Sequence, residues 1–237
     1  IAASAGAVVA KHGNRSVSSK SGSADMLEKL GIKLTSEKKL LEKSLEINNF
    51  CFLFAQFHHS AMKHVINIRK NLATRTIFNL IGPLTNPASA KKQLIGVFDK
   101  KWINIYCEVL KDLGSNHAMI VHGDDGMDEI SLSSVTHIAE LKENKIFNFI
   151  FNPKDYGYEF INNEDIIGKG PEYNAKVFID MLNAPNNSFQ KIVEINSGAA
   201  IYLSGKVKNL KEGIELAKKT IENKKSKNYF QNLITNQ

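Results

Sequence analysis

The amino-acid sequence predicts an α/β fold: a central mixed, largely parallel sheet flanked by helices. Three observations point to it. Residues 50–55 (Phe-Cys-Phe-Leu-Phe-Ala) form a continuous apolar run of strand length, the pattern of a strand covered on both faces. Residues 93–98, 103–113 and 117–122 read as strand, helix, strand, the alternation from which parallel sheets are built. The 237 residues are 43% hydrophobic and 23% charged, ordinary for a globular protein and enough for one large domain, or one domain with a smaller appendage.

Each element follows from its local pattern. Residues 1–10 read as the end of a small-residue helix, a break at Gly6 and a short strand. Ser23 can cap a helix over about 24–30 that turns Met26, Leu27 and Leu30 to one face and ends at Gly31. Thr35 or Ser36 caps a second helix with Leu40, Leu41 and Leu45 inward. A helix over about 61–72 places Met62, Val65, Arg69 and Leu72 on one face, so that a cation shares an apolar stripe. Residues 78–88, with Gly-Pro and Asn-Pro turns, read as a rigid connector. Ile103, Tyr106, Val109, Leu110 and Leu113 face inward on the helix that Gly114 closes. Short apolar runs over 135–161 predict hairpin-like strands. Helices follow at about 172–183, from 192 and over 210–223. The lysines at 218, 219, 224, 225 and 227 read as a solvated helix face.

Composition narrows the function classes. The net charge of +7 favours anionic partners without choosing among nucleic acid, phosphorylated metabolites and simple solubility. Cys51 and Cys107 lie far apart inside apolar segments, the pattern of buried thiols in a reducing compartment rather than a metal site or redox pair. No apolar run reaches membrane-spanning length, and no signal-peptide pattern is present. The chain begins at Ile1 inside an Ala-rich apolar pattern, which reads as a fragment lacking its N-terminal part.

Two segments carry chemistry. Residues 11–25 (Lys-His-Gly-Asn-Arg-Ser-Val-Ser-Ser-Lys-Ser-Gly-Ser-Ala-Asp) combine three cations, an imidazole, five serines and two glycines. Hydroxyls, flexible backbone N–H groups and positive charge at the entry to a helix suit a multiply phosphorylated ligand; the same composition also describes a solvated loop. Residues 123–129 (Gly-Asp-Asp-Gly-Met-Asp-Glu) place four carboxylates after a predicted strand, where open α/β sheets bind ligands. Oxygen donors alone suit Mg²⁺, and an acidic turn is the plainer alternative. Arg69 on its apolar face either snorkels to water or forks onto a carboxylate in a pocket.

These motifs together resemble the anthranilate phosphoribosyltransferase family. The resemblance rests on residues 11–25; Phe57-His58-His59 with Ala61-Met62-Lys63-His64-Val65; Arg69 with Arg75-Thr76; Phe78-Asn79-Leu80-Ile81-Gly82-Pro83-Leu84-Thr85-Asn86-Pro87; Val121-His122-Gly123 with Asp128-Glu129; and Asn196-Ser197-Gly198-Ala199-Ala200. It runs the length of the chain, in order. The resemblance implies a nucleoside phosphorylase/phosphoribosyltransferase type of α/β catalytic domain over residues 1–237, with about 40–72 contributing helices to a small helical domain.

It also implies the reaction: transfer of the phosphoribosyl group of 5-phosphoribosyl 1-diphosphate (PRPP) to the amine of anthranilate, in tryptophan biosynthesis. By the same resemblance, Lys11, His12, Gly13, Asn14, Arg15, Ser16, Val17, Ser18, Ser19 and Ser23 bind PRPP. Asn14 and Arg69 bind anthranilate, Asp128 and Glu129 hold Mg²⁺, and Lys11, His12 and Arg69 serve catalysis. The implied partners are small molecules, with neither nucleic acid nor membrane, in a cytoplasmic homodimer. The family's Gly-Thr-Gly-Gly-Asp turn, its Asn-Ile-Ser-Thr stretch and its first helices are expected upstream of Ile1, so the fragment alone is expected to be impaired. The rivals are a pyrimidine nucleoside phosphorylase, which needs no carboxylate clamp, and a non-catalytic nucleic-acid-binding relative with steep salt dependence.

Overall fold

The computed structural model describes residues 1–16, 20–59, 76–184 and 187–236. The predicted helix over 61–72, with Arg69, lies outside the described residues, as do Val17, Ser18 and Ser19. The chain forms two compact units. One comprises Ile1–Ala7, Ala90–Ile167 and Ala184–Ser226; the other comprises Val8–Ser89, Gly168–Asn183 and Lys227–Gln237.

The second of these units contains a parallel pair, β1 Val9–Gly13 and β2 Phe50–Phe54, in the register Val9 with Phe50 through Gly13 with Phe54. Helix α1 (Ser23–Lys29) and helix α2 (Lys38–Asn48) lie between them in sequence. Ala24, Phe52 and Phe54 form one small core, and Leu41, Cys51 and Leu53 another. Helix Pro171–Asn183 packs on α1 with Lys29 Nζ 2.7 Å from Glu172 Oε1. Asn86, in the connector, donates from Nδ2 to Ala10 O at 3.1 Å and so ties that connector to β1.

The first unit is built on a four-stranded mixed sheet of β3 Lys92–Gly96, β4 His117–Gly123, β5 Thr136–Lys142 and β6 Lys145–Phe151, hydrogen-bonded in that order. β3 and β4 run parallel, joined through helix Trp102–Asp112; β4, β5 and β6 pair antiparallel. Glu143 and Asn144 both adopt positive φ (51° and 62°), the geometry of a tight hairpin turn between β5 and β6. Ala118, Met119, Ile120 and Val121 are all buried, so β4 is covered on both faces. Successive side chains alternate, so Met119 and Val121 join a core with Ile195, Ala199 and Tyr202 of helix Ser188–Ser204, while helix Trp102–Asp112 covers the other face with Ile103, Tyr106 and Leu110. Helix Ser188–Ser204 crosses helix Leu210–Glu222 at two glycines. A Cβ on Gly198 would overlap the Ile214 backbone, and one on Gly213 would overlap the Gly198 carbonyl.

Several local expectations shift. Residues 2–6 are turns rather than a helix end, with Gly6 at φ +98°. Lys11, His12 and Gly13, polar enough to read as loop, extend β1 because their backbones pair with apolar β2. Gly22 precedes α1, whose first residue is Ser23, and Glu37 precedes α2. Leu40 is exposed because it sits one residue round the helix from the buried Leu41; Leu113 is exposed because helix Trp102–Asp112 has already ended. Helix Lys225–Thr235, read from sequence only as a lysine-rich surface, buries Phe230 and Leu233. Cys51 and Cys107 are buried free thiols, pushed by burial to about 11 and about 12 respectively. Among the described residues, no helix is long and apolar enough to cross a membrane.

Candidate functional site

The two chemistry-bearing segments fall in different units. In the first of them, the loop after β1 folds back onto the start of α1. Ala24 N donates to Asn14 O at 3.3 Å, and Asp25 Oδ2 accepts from Gly22 N at 2.9 Å and from Ser16 N at 3.0 Å. Gly22 must be glycine for this return, since a Cβ there would overlap Asn14, Arg15 and Ser16. At the end of β1 a Cβ on Gly13 would meet Ser23 Oγ and the Phe52 ring, so the gap at Gly13 seats the Ser23 hydroxyl against the strand. Burial pushes Asp25 up, but the hydrogen bonds from Ser16 and Gly22, with the Arg15 charge, outweigh it and hold the carboxyl below its ordinary value.

The cations here are not equivalent. Arg15 turns away from the loop. Its Nη2 lies 2.8 Å from Glu28 Oε1, its Nη1 lies 3.6 Å from Asp25 Oδ1, and its guanidinium sits 5.6 Å from the Phe54 ring centre. Its charge is thus largely answered by α1, and Asp25 already occupies the helix start that the sequence offers to an anion. Lys11 lies on β1 next to His12.

His12 Nε2 lies 3.2 Å from His59 Nε2, with the rings edge to face, so one ring donates and the other accepts. Burial first, then the neighbouring His59, His58 and Lys11, lowers His12 to about 4. Asn14 Oδ1 accepts from Gln56 Nε2 at 3.2 Å. Sequence reasoning assigned no role to Gln56 or His59. Both follow β2 in the four-residue helix Ala55–His58 and its cap, and the parallel β1–β2 register brings them to the loop.

In the other unit, the acidic turn leaves the end of β4 with its four carboxylates in distinct settings. Asp124 Oδ1 lies 2.8 Å from His137 Nε2, whose other neighbour is Lys100 Nζ at 3.0 Å. Asp125 knots the turn: it accepts from Ser131 Oγ at 2.6 Å, from Ser133 Oγ and from Met127 N at 3.1 Å. Burial pushes Asp125 up, and these hydroxyl and amide donors bring it below its ordinary value. Asp128 and Glu129 are exposed beyond them. Among the described residues no group of three or more His, Cys, Asp or Glu stands ready to hold a metal ion. Two adjacent hard-oxygen donors fit Mg²⁺, which keeps several waters and takes ligand phosphates as further donors.

The chain is a member of a glycosyl transferase family. The model of the glycosyl transferase family, a/b domain, matches residues 1–227. The chain is 48% identical over 221 residues to an anthranilate phosphoribosyltransferase of Caldanaerobacter subterraneus subsp. tengcongensis, covering 93% of this chain and 65% of that protein. It is 43% identical to that of Methanobrevibacter smithii, covering 99% and 70%. The crystal structure of the anthranilate phosphoribosyltransferase from Thermus thermophilus matches with a TM-score of 0.91 at 36% identity, over 99% of this chain and 70% of that one. The Saccharomyces cerevisiae anthranilate phosphoribosyltransferase in complex with PRPP and Mg matches with a TM-score of 0.87 at 28% identity, over 99% and 67%. The chain belongs to the anthranilate phosphoribosyltransferase family, and it spans about two thirds of the length of the curated relatives it matches.

Proposed function

We propose that the natural full-length protein transfers the phosphoribosyl group of PRPP to the amine of anthranilate with Mg²⁺, in tryptophan biosynthesis. The observation that carries this is the likeness along nearly the whole chain to anthranilate phosphoribosyltransferases, 48% and 43% identical in the two relatives above. Lys11, His12, Gly13, Asn14, Ser16 and Ser23, together with Val17, Ser18 and Ser19, take PRPP, and Arg15 joins them by exchanging Glu28 for a phosphate. Asn14 and Arg69 take anthranilate, the guanidinium of Arg69 forking onto its carboxylate. Asp128 and Glu129 hold the metal.

In the reaction the bond from the sugar carbon to diphosphate breaks, its electron pair leaving with diphosphate. The amine lone pair forms the new carbon–nitrogen bond. Bound Mg²⁺ supplies positive charge against the departing diphosphate. Lys11 adds to that charge, and catalysis rests on electrostatics and positioning rather than on an activated nucleophile. His12, lowered to about 4, is neutral at working pH and accepts the proton that nitrogen loses. The protein acts in the cytoplasm as a homodimer on small molecules, without nucleic acid or membrane.

The test is anthranilate consumption by the full-length protein with PRPP, with and without EDTA, beside phosphorolysis of pyrimidine nucleosides. Turnover of anthranilate that needs both PRPP and divalent metal is expected, with Arg69→Ala raising the KM for anthranilate at least about tenfold, the scale of a lost charged contact. Nucleoside phosphorolysis without anthranilate turnover overturns the proposal.

A further inference from the structure

The acidic turn is gripped from both sides by groups that are not its outward carboxylates. Upstream, Gly123 N donates to Met127 O at 2.8 Å, and Met127 N is taken by Asp125. The end of β3 presses on the turn itself, for a Cβ on Gly96 would overlap the carbonyl of Asp128. Downstream, Ser131 N donates to Thr136 Oγ1 at 2.9 Å, and the residue directly after the carboxylate pair, Ile130, is held by a side chain from helix Ser188–Ser204. Asn196 Oδ1 accepts from Ile130 N at 2.9 Å, and Asn196 Nδ2 donates to Ile130 O at 2.9 Å and to Ile192 O at 3.0 Å.

We infer that Asn196 is a positioning residue for the divalent metal: by fixing the main chain of Ile130 it sets the aim of Asp128 and Glu129. The inference rests on the reading of that carboxylate pair as the metal site. An amide is the one neutral side chain of this size that offers an acceptor and two donors together, so it can pair with both backbone groups of Ile130 as a neighbouring strand would. Ile130 is fully buried, and water cannot take over these bonds. Asn196 is itself half-buried at the edge of an apolar face. Its neighbours one turn away, Ile192 and Ala199, are buried apolar residues, so Ile130 meets Asn196 as the polar group between them. Groups that orient metal ligands without touching the metal typically change affinity about 10- to 100-fold when removed.

The experiment measures Mn²⁺ binding by electron paramagnetic resonance, in the presence of diphosphate, on the full-length protein and on Asn196→Ala, Asn196→Ser and Asp128→Asn. The half-saturating Mg²⁺ for turnover and the KM for anthranilate are measured alongside. Asn196→Ala and Asn196→Ser are expected to weaken Mn²⁺ binding about tenfold or more. They should raise the Mg²⁺ requirement to match and leave the anthranilate KM within about twofold; if the alanine variant does not fold, the serine variant, which keeps one donor, carries the test. If Asp128→Asn weakens Mn²⁺ binding while both Asn196 variants leave it unchanged, the positioning role is wrong and the metal reading stands. If the Asn196 variants raise the anthranilate KM as much as the Mg²⁺ requirement, the residue is merely structural and the inference fails. If Asp128→Asn leaves Mn²⁺ binding unchanged, the metal reading fails and takes the inference with it.

Discussion

Replacing Asp25 with alanine tests whether the loop after β1 is set in place before its ligand arrives. Asp25 Oδ2 accepts from Ser16 N at 3.0 Å and from Gly22 N at 2.9 Å, with the side chain 18% exposed. Hydrogen bonds to a charged acceptor contribute about 1.5–3 kcal/mol. Both donors here are only half-buried, however, and water can partly replace the carboxylate. The loss of a helix N-cap, about 0.5–2 kcal/mol, is therefore the better measure, and we take about 1.5 kcal/mol. At about 2–4 °C per kcal/mol for a chain of this size, the melting temperature should fall by about 3–6 °C.

The functional consequence is separable from that loss. A loop no longer pinned at Ser16 and Gly22 must be ordered by the ligand, and about 1.4 kcal/mol is a factor of ten in affinity. The KM for PRPP should rise about tenfold, with the KM for anthranilate and kcat changed far less. The sign of the pH dependence follows from the depressed carboxyl. Its stabilisation is full above the ordinary carboxylate value of 3.8 and is lost as pH falls through the lower folded-state value. The gap in melting temperature between wild type and Asp25→Ala should accordingly be constant above about pH 5 and close in stronger acid. A melting temperature that falls while the PRPP KM stays within about twofold refutes the reasoning, because the loop would then be a structural cap and nothing more.

Two further perturbations follow. Gly198→Ala puts a methyl group onto the Ile214 backbone, so although alanine gains helix propensity, the overlap dominates and about 1–3 kcal/mol should be lost, read as a lower urea midpoint at unchanged slope. His12, lowered from 6.5 to about 4, stabilises the fold in its neutral form, fully above about 6.5 and progressively less as pH falls towards about 4; His12→Gln should flatten that part of the melting-temperature profile.

Much of the fold was legible because burial writes periodicity into a sequence. β2 stood out as an unbroken apolar run and β4 as the strand that closes a strand–helix–strand pattern, and the Glu143-Asn144 turn falls between two of the short apolar runs that predict hairpin-like strands. What escaped notice was decided by tertiary contact. Lys11 to Gly13 look like loop and become strand only because Phe52 to Phe54 lie beside them. The site was legible in its types more than in its connections. Five serines and three cations advertise a phosphate ligand, but no local pattern tells that Arg15 turns to Glu28, or that Gln56 reaches Asn14 across 42 positions. Asn196 left one faint signal, a lone amide on a helix face of Ile and Ala, which becomes meaningful only when Ile130 is found opposite it.

Both chemistry-bearing segments solve one physical problem in the same way. Past the strand ends, at Ser16 and Gly22 in one segment and at Ile130 in the other, the backbone has left the sheet ladder and must find its partners elsewhere. Left unpaired, the half-buried amides would cost stability and would let the segment wander. In each unit a side chain borne by a nearby helix takes the place of the missing strand: Asp25 for Ser16 and Gly22, Asn196 for Ile130. The acceptor types differ for a reason. Asp25 serves two donors and no acceptor, so a carboxylate suffices, and Arg15 answers its charge. Asn196 serves a donor and an acceptor of one residue beside two exposed acids, where a third carboxylate would add repulsion and an amide adds none.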